Sequence, residues 1–145
     1  MTVEKKWDML PKKILLAEDD IDDQAFFSEF LQSRSDLKLL PIVENGEDVI
    51  DFLNNASSEK DLPDIIILDQ NMPKMNGLQT LHSLQANKVH KNIPVIIYST
   101  NPDQTLIKRC IDSGAVQVFP KPYSPEGYGN LVDLLIELTM KNEGA

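Results

Sequence analysis

A single cysteine among 145 residues, Cys110, excludes an internal disulfide and suits a reducing compartment. With Ile107 and Ile111 beside it, Cys110 reads as a packed thiol rather than a reactive one. Only two histidines, His82 and His90, accompany it, so no Cys/His set suited to zinc is present. Basic residues are also scarce: 14 Lys and Arg stand against 23 Asp and Glu, for a net charge of -9. No basic patch offsets that balance, which repels nucleic acid and anionic lipid and argues against both as partners. No apolar run approaches the roughly 18 residues of a membrane-spanning helix. Met1 to Leu10, which carries Glu4, Lys5, Lys6 and Asp8, lacks the apolar centre of a signal peptide. The expected location is the cytoplasm. Neither an internal repeat nor a low-complexity segment interrupts the chain.

What is present is enough apolar sequence, 41% of residues, to bury one core. The length fits one domain and leaves little room for a second. We divide the chain into an N-terminal extension (1–11, containing Trp7), a domain (12–142) and a short tail (143–145). Five apolar runs read as strands: Ile14 to Ala17, Leu39 to Val43, Ile65 to Leu68, Val95 to Tyr98 and Val116 to Phe119. Near-continuous Ile, Leu and Val fits a parallel sheet covered on both faces. Between the strands lie helical spacings, including Ile107, Cys110, Ile111 and Gly114, and after the last strand Leu131, Leu134, Leu135 and Leu138. The expected helix starts are Asp20, Asn45-Gly46, Gly77 and Asn101-Pro102. Asn54 to Asp61 reads as a polar loop. This (βα)5 alternation predicts a doubly wound α/β fold, with helices on both faces of a five-stranded parallel sheet.

In such sheets functional residues gather at the C-terminal strand ends. Here that edge carries Glu18-Asp19-Asp20, Asp69, Ser99-Thr100 and Lys121. Glu18, Asp19 and Asp69 together form an oxygen-rich acidic cluster suited to a hard divalent cation such as Mg²⁺. Asp22 and Asp23 read more simply, as acids complementing a helix N-terminal dipole. Lys121 lies between Pro120 and Pro122, which constrains its backbone and makes Lys121-Pro122 a candidate cis peptide. An ammonium aimed at the acids would offset their charge and bind an anion held by the metal. Carboxylate nucleophile, metal site, cation and the Ser99 hydroxyl together make a phosphoryl-transfer set, in which positioning and charge neutralisation do most of the catalysis.

Four segments carry a resemblance to bacterial response-regulator receiver domains: Ile14-Leu15-Leu16-Ala17-Glu18-Asp19-Asp20, Leu68-Asp69-Gln70-Asn71-Met72-Pro73-Lys74-Met75-Asn76-Gly77, Pro94-Val95-Ile96-Ile97-Tyr98-Ser99-Thr100 and Phe119-Pro120-Lys121-Pro122. The likeness runs from about Lys12 to Met140, and the wording is similar to single-domain regulators that accompany bacterial phytochromes. The resemblance implies a flavodoxin-like three-layer sandwich with strand order 2-1-3-4-5. It implies that Asp69 is the phosphoacceptor, that Glu18, Asp19, Asp69 and the Asn71 backbone carbonyl arrange Mg²⁺, that Ser99 is the switch hydroxyl, and that Lys121 contacts a phosphate oxygen. It further implies a sensor histidine kinase or phosphotransfer protein as donor, a downstream protein target, and an output face on the fourth helix, fifth strand and fifth helix. Leu131, Val132 and Ile136 are candidates for a homodimer contact there. No attached output domain is expected, and no enzyme activity beyond self-catalysed phosphoryl transfer and slow autodephosphorylation. Two departures stand out. Val118 occupies the position three before the lysine where the family often has an aromatic switch residue, and Thr100 adds bulk where Ala is usual.

Rival readings fit less well. A phosphatase of the haloacid dehalogenase type needs an Asp nucleophile in an Asp-x-Asp pattern after the first strand, where this chain has Glu18-Asp19-Asp20-Ile21. A flavodoxin-type cofactor binder needs glycines and hydroxyls around a phosphate, and the five acids between Glu18 and Asp23 would repel one. His82 and His90 have no context resembling a phosphotransfer histidine. A pseudo-receiver that signals without phosphorylation is the alternative that shares every residue.

Overall fold

The computed structural model of the protein describes residues 10–143, with side chains as far as Thr139; Trp7 and the rest of the first nine residues lie outside them. Strand and helix alternate as β1 (Lys12–Ala17), α1 (Ile21–Gln32), β2 (Leu37–Leu39), α2 (Gly46–Asn54), β3 (Ile65–Asp69), α3 (Gly77–Gln85), β4 (Val95–Ser99), α4 (Gln104–Asp112), β5 (Gln117–Pro120) and α5 (Pro125–Glu143). The sheet is parallel throughout, in the order β2-β1-β3-β4-β5.

Strand alternation sorts the apolar runs into two cores. Leu15, Ala17, Ile66, Leu68, Val95 and Ile97 pack with Val49 and Leu53 of α2, Leu81 and Leu84 of α3 and Cys110 of α4. Ile14, Leu16, Ile65, Ile67, Ile96 and Tyr98 pack with Phe27 and Leu31 of α1 and Leu131 and Leu135 of α5. Both faces are therefore covered, which is why these strands are apolar at every position rather than every second one. Each fully buried Ile or Leu contributes about 1.5–3 kcal/mol, and β3 supplies four such residues before its terminal acid. Strand order reverses between β1 and β3, whose following helices leave toward opposite faces. The crevice opens between them.

Several sequence expectations change. β2 ends at Leu39 rather than running to Val43, because Pro41 has no N–H to give the ladder; Val43 rejoins only as an isolated bridge to Ala17. The cap of α4 is Asp103, whose side chain accepts from the Leu106 N–H at 2.8 Å, and not Asn101-Pro102. The residue before a proline is steered away from helical geometry, which delays the start. Lys121-Pro122 is trans, since no cis peptide occurs among the described residues. Lys121 is instead held by its N–H donating to the Ser99 carbonyl at 2.8 Å, which carries the β4–β5 pairing one residue further. Leu131 and Val132 are buried in the α1/α5 core and offer nothing to a dimer contact. Ile107 and Ile111 are exposed, so the sheet face rather than these neighbours buries Cys110. Burial also pushes the Cys110 thiol up. The polar loop contains a short 3-10 turn, Glu59–Asp61.

The remaining punctuation follows the sequence. Asp20, Asn45 and Asn76 cap α1, α2 and α3, the last with a capping box to Gln79. Gly114 follows α4 at φ 110, the left-handed region that favours glycine after a helix. His82 lies in the last turn of α3, its Nε2 3.0 Å from Ser113 Oγ, and His90 sits in a 3-10 turn where burial lowers its affinity for a proton.

Candidate functional site

Register places the site residues at one level. Ala17 pairs with Leu68, Asp69 with Tyr98 and Ser99 with Pro120, so the chain emerges from β1, β3, β4 and β5 along a single edge. Parity then selects a face. Glu18 continues the Ile14 and Leu16 series, Asp69 that of Ile65 and Ile67, Tyr98 that of Ile96, and Lys121 that of Phe119, all members of the α1/α5 core or its border.

Three carboxylates close around Lys121. Its Nζ lies 2.7 Å from Glu18 Oε1, 2.8 Å from Asp23 Oδ2 and 3.1 Å from Asp69 Oδ2. One carboxylate oxygen from each of Glu18, Asp19 and Asp69 falls within 4.8 Å of the others. Asp19, Asp69 and Lys121 face a cavity of about 510 Å³ that Asp20, Ile21, Asp22, Asn71 and Thr100 also line, while Glu18, fully buried, is not among the lining residues. Hard oxygen donors facing an opening with room for water fit Mg²⁺, which keeps several waters and takes few protein ligands.

Local hydrogen bonds fix Glu18 and Asp69. The Glu18 N–H donates to the Val43 carbonyl at 2.9 Å, Gln24 Nε2 donates to the Glu18 carbonyl at 2.6 Å, and the Asp20 N–H donates to Glu18 Oε2 at 3.1 Å. The Asn71 N–H donates to Asp69 Oδ1 at 3.2 Å. Behind Asp69, a Cβ on Gly77 would stand 2.9 Å from the Asp69 carbonyl oxygen, so only glycine lets α3 start so close to the strand end.

Charge is crowded here. Burial pushes the Asp69 carboxyl well above the usual carboxylate range, the adjoining Glu18 adds to this through a shared hydrogen bond and repulsion, and Lys121 opposes both. For Lys121, burial works against the ammonium, but its bonds to Asp23 and Glu18 and the charge of Asp69 outweigh that and hold it protonated. Such an arrangement can hold a divalent cation and an anion side by side, with a carboxylate oxygen at their junction.

Glu18, Asp19, Asp69 and Lys121 are thus brought together as the sequence predicts, and Asn71 and Thr100 line the same cavity. Ser99 is buried at the end of β4 with the parity of Val95 and Ile97, and it is not among the lining residues. Two members went unrecognised. Asp23, taken for a dipole acid, pairs with Lys121. Tyr98, which the sequence places only at the end of an apolar strand, donates its hydroxyl to Glu18 Oε1 at 2.6 Å. Its signal is a polar-tipped residue sharing the parity and level of the site acids.

The response regulator receiver domain family matches residues 14–133. Among curated proteins, the chain is 30% identical over 122 residues to the probable C4-dicarboxylate response regulator DctR of Bacillus subtilis, covering 84% of this chain and 49% of that protein. It is 28% identical over 127 residues to a protein-glutamate methylesterase/protein-glutamine glutaminase of Clostridium acetobutylicum, covering 86% and 35%. The chain therefore spans about half or less of the length of these curated relatives. Among solved structures, the phosphorylated cyanobacterial phytochrome response regulator RcpA is 27% identical with a TM-score of 0.76, covering 91% of this chain and 96% of that one. The Mn²⁺-bound response regulator Rcp1 is 26% identical with a TM-score of 0.69, covering 89% and 90%. No helix among the described residues is long and apolar enough to cross a membrane. From the match across most of its length, with the acidic cluster and lysine at the sheet edge, this chain belongs to the response regulator receiver domain family of two-component signalling.

Proposed function

We propose that this chain accepts a phosphoryl group on Asp69 from the phosphohistidine of a sensor kinase or phosphotransfer protein, in the cytoplasm. The observation that carries the reading is Asp69 itself: a nearly buried carboxylate at a cavity mouth, its Oδ2 3.1 Å from Lys121 Nζ and grouped with Glu18 and Asp19. An Asp69 oxygen attacks phosphorus, the donor's N–P bond breaks, and an acyl phosphate forms. Glu18, Asp19, Asp69 and the Asn71 carbonyl would hold Mg²⁺, which when bound neutralises charge on the transferring oxygens. Lys121 supplies the second positive charge, and Asp23 keeps its ammonium oriented. Ser99 turns to the phosphoryl group as the switch hydroxyl. Output passes through the face of α4, β5 and α5, where Ile107 and Ile111 of α4 and Val116 just before β5 are exposed apolar residues available to a target or a second copy.

The test is intact mass after incubation with Mg²⁺ and acetyl phosphate. The wild type gains an acid-stable, base-labile phosphoryl adduct and Asp69→Asn does not. No adduct on the wild type would leave a pseudo-receiver in its place, and equal adducts on both would move the acceptor elsewhere.

A further inference from the structure

We infer that Tyr98 is a positioning residue of the metal and phosphoryl site, acting through Glu18 and Lys121. The inference rests on the proposed function of that site. Glu18 is completely buried, and a buried carboxylate is tolerated only when its lone pairs are filled. Its Oε1 takes the Tyr98 hydroxyl at 2.6 Å and Lys121 Nζ at 2.7 Å. Its Oε2 takes the Asp20 N–H at 3.1 Å, and the carboxylate also shares a hydrogen bond with Asp69. Tyr98 and Lys121 thereby fix how the Glu18 carboxylate is turned within the cluster it forms with Asp19 and Asp69.

The reach is specific. Tyr98 stands on β4 and Glu18 follows β1, with β3 between them, so two strand spacings, roughly 9–10 Å, must be bridged. A tyrosine meeting a glutamate covers that span along the shared face; a phenylalanine would fill the same core volume without the bond. The same ring serves the lysine, since Lys121 Nζ lies 5.3 Å from its centroid, within cation–π range. The hydroxyl directs its one proton at Glu18 Oε1, so it acts as a donor fixed on that oxygen. One side chain therefore touches both the buried acid of the carboxylate cluster and the ammonium that lines the cavity.

The test is Tyr98→Phe in the full chain, with Mg²⁺ affinity read by calorimetry and acetyl phosphate labelling followed against Mg²⁺ concentration. Removing an outer-shell partner typically costs 10–100-fold in metal affinity. The expected result is a Kd weakened at least ten-fold and the half-saturating Mg²⁺ for labelling raised in parallel. A merely structural role would lower the melting temperature and leave the Mg²⁺ affinity of the folded protein unchanged. A Kd within three-fold of wild type overturns the inference. Glu18→Asp, which shortens the acid and breaks the same bond from its other end, serves as the second variant. The double variant should bind Mg²⁺ no more weakly than the worse single one, and additive losses would also overturn the inference. If the wild type binds Mg²⁺ but takes no phosphoryl group, the proposed function fails while the calorimetry still decides the role of Tyr98.

Discussion

Replacing Lys121 by Met removes the one ammonium shared by Glu18, Asp23 and Asp69, and the consequence depends on metal and pH in a way that can be worked through. Breaking a fully buried pair by deleting one partner costs about 3–5 kcal/mol. Lys121 is 14% exposed and Asp23 is 26% exposed, so solvent screens part of the loss. We expect a cost of about 2–3 kcal/mol without metal, or a fall of about 8 °C in melting temperature for a domain of this size. The sign of the pH dependence follows from Asp69, whose carboxyl is already raised by burial and Glu18 and lowered only by Lys121. With the lysine gone it rises further. A carboxyl raised in the folded state stabilises the fold at low pH, where it is protonated, and loses that contribution as pH climbs through its folded value. The variant's deficit should therefore shrink in acid and grow toward alkaline pH. Mg²⁺ supplies the missing counter-charge. At one hundred times its Kd a ligand stabilises by about 2.7 kcal/mol, and the variant, with no ammonium competing for the acids, should gain more than the wild type. Phosphoryl acceptance should nonetheless fall, because the anion loses its cationic contact. The assay is thermal and urea unfolding across pH, with and without Mg²⁺. A metal-free loss under about 1 kcal/mol, or an equal Mg²⁺ gain in both proteins, would refute this electrostatic account.

Two further outcomes test the framing of the site. Gly77→Ala places a Cβ 2.9 Å from the Asp69 carbonyl oxygen and 3.1 Å from Gln70 Cα, both backbone atoms that yield poorly; a loss of about 1–3 kcal/mol in urea unfolding is expected, with slower labelling of Asp69, and a neutral variant would contradict the close approach. Asp103→Ala should cost about 1 kcal/mol by removing the α4 cap, whereas Asn101→Ala should cost nothing measurable, and the reverse pattern in chemical denaturation would return the helix start to Asn101.

Much of this was legible in the chain because burial on both faces writes itself as unbroken Ile, Leu and Val, and because strand ends are marked by abrupt acids such as Glu18 and Asp69. The rest depended on contacts that sequence spacing does not encode. Tyr98 looks like one more apolar strand residue until the sheet sets it two strands from Glu18. Asp23 has a sufficient local explanation at the start of α1, and only the fold brings Lys121 to it from the end of β5. Pro41 and Pro102 were visible, yet their effects on the extent of β2 and the start of α4 depend on which N–H groups the neighbouring elements require. The Lys121-Pro122 geometry was misread because its constraint comes from pairing with Ser99, not from the peptide bond.

The most direct test of the central claim is to treat the Mg²⁺ and acetyl phosphate reaction mixture with borohydride, which reduces an acyl phosphate to the alcohol, and then to sequence the peptides by mass spectrometry. The account predicts homoserine in place of Asp69 and at no other acid. Homoserine at Asp19, at Asp23 or nowhere would contradict it.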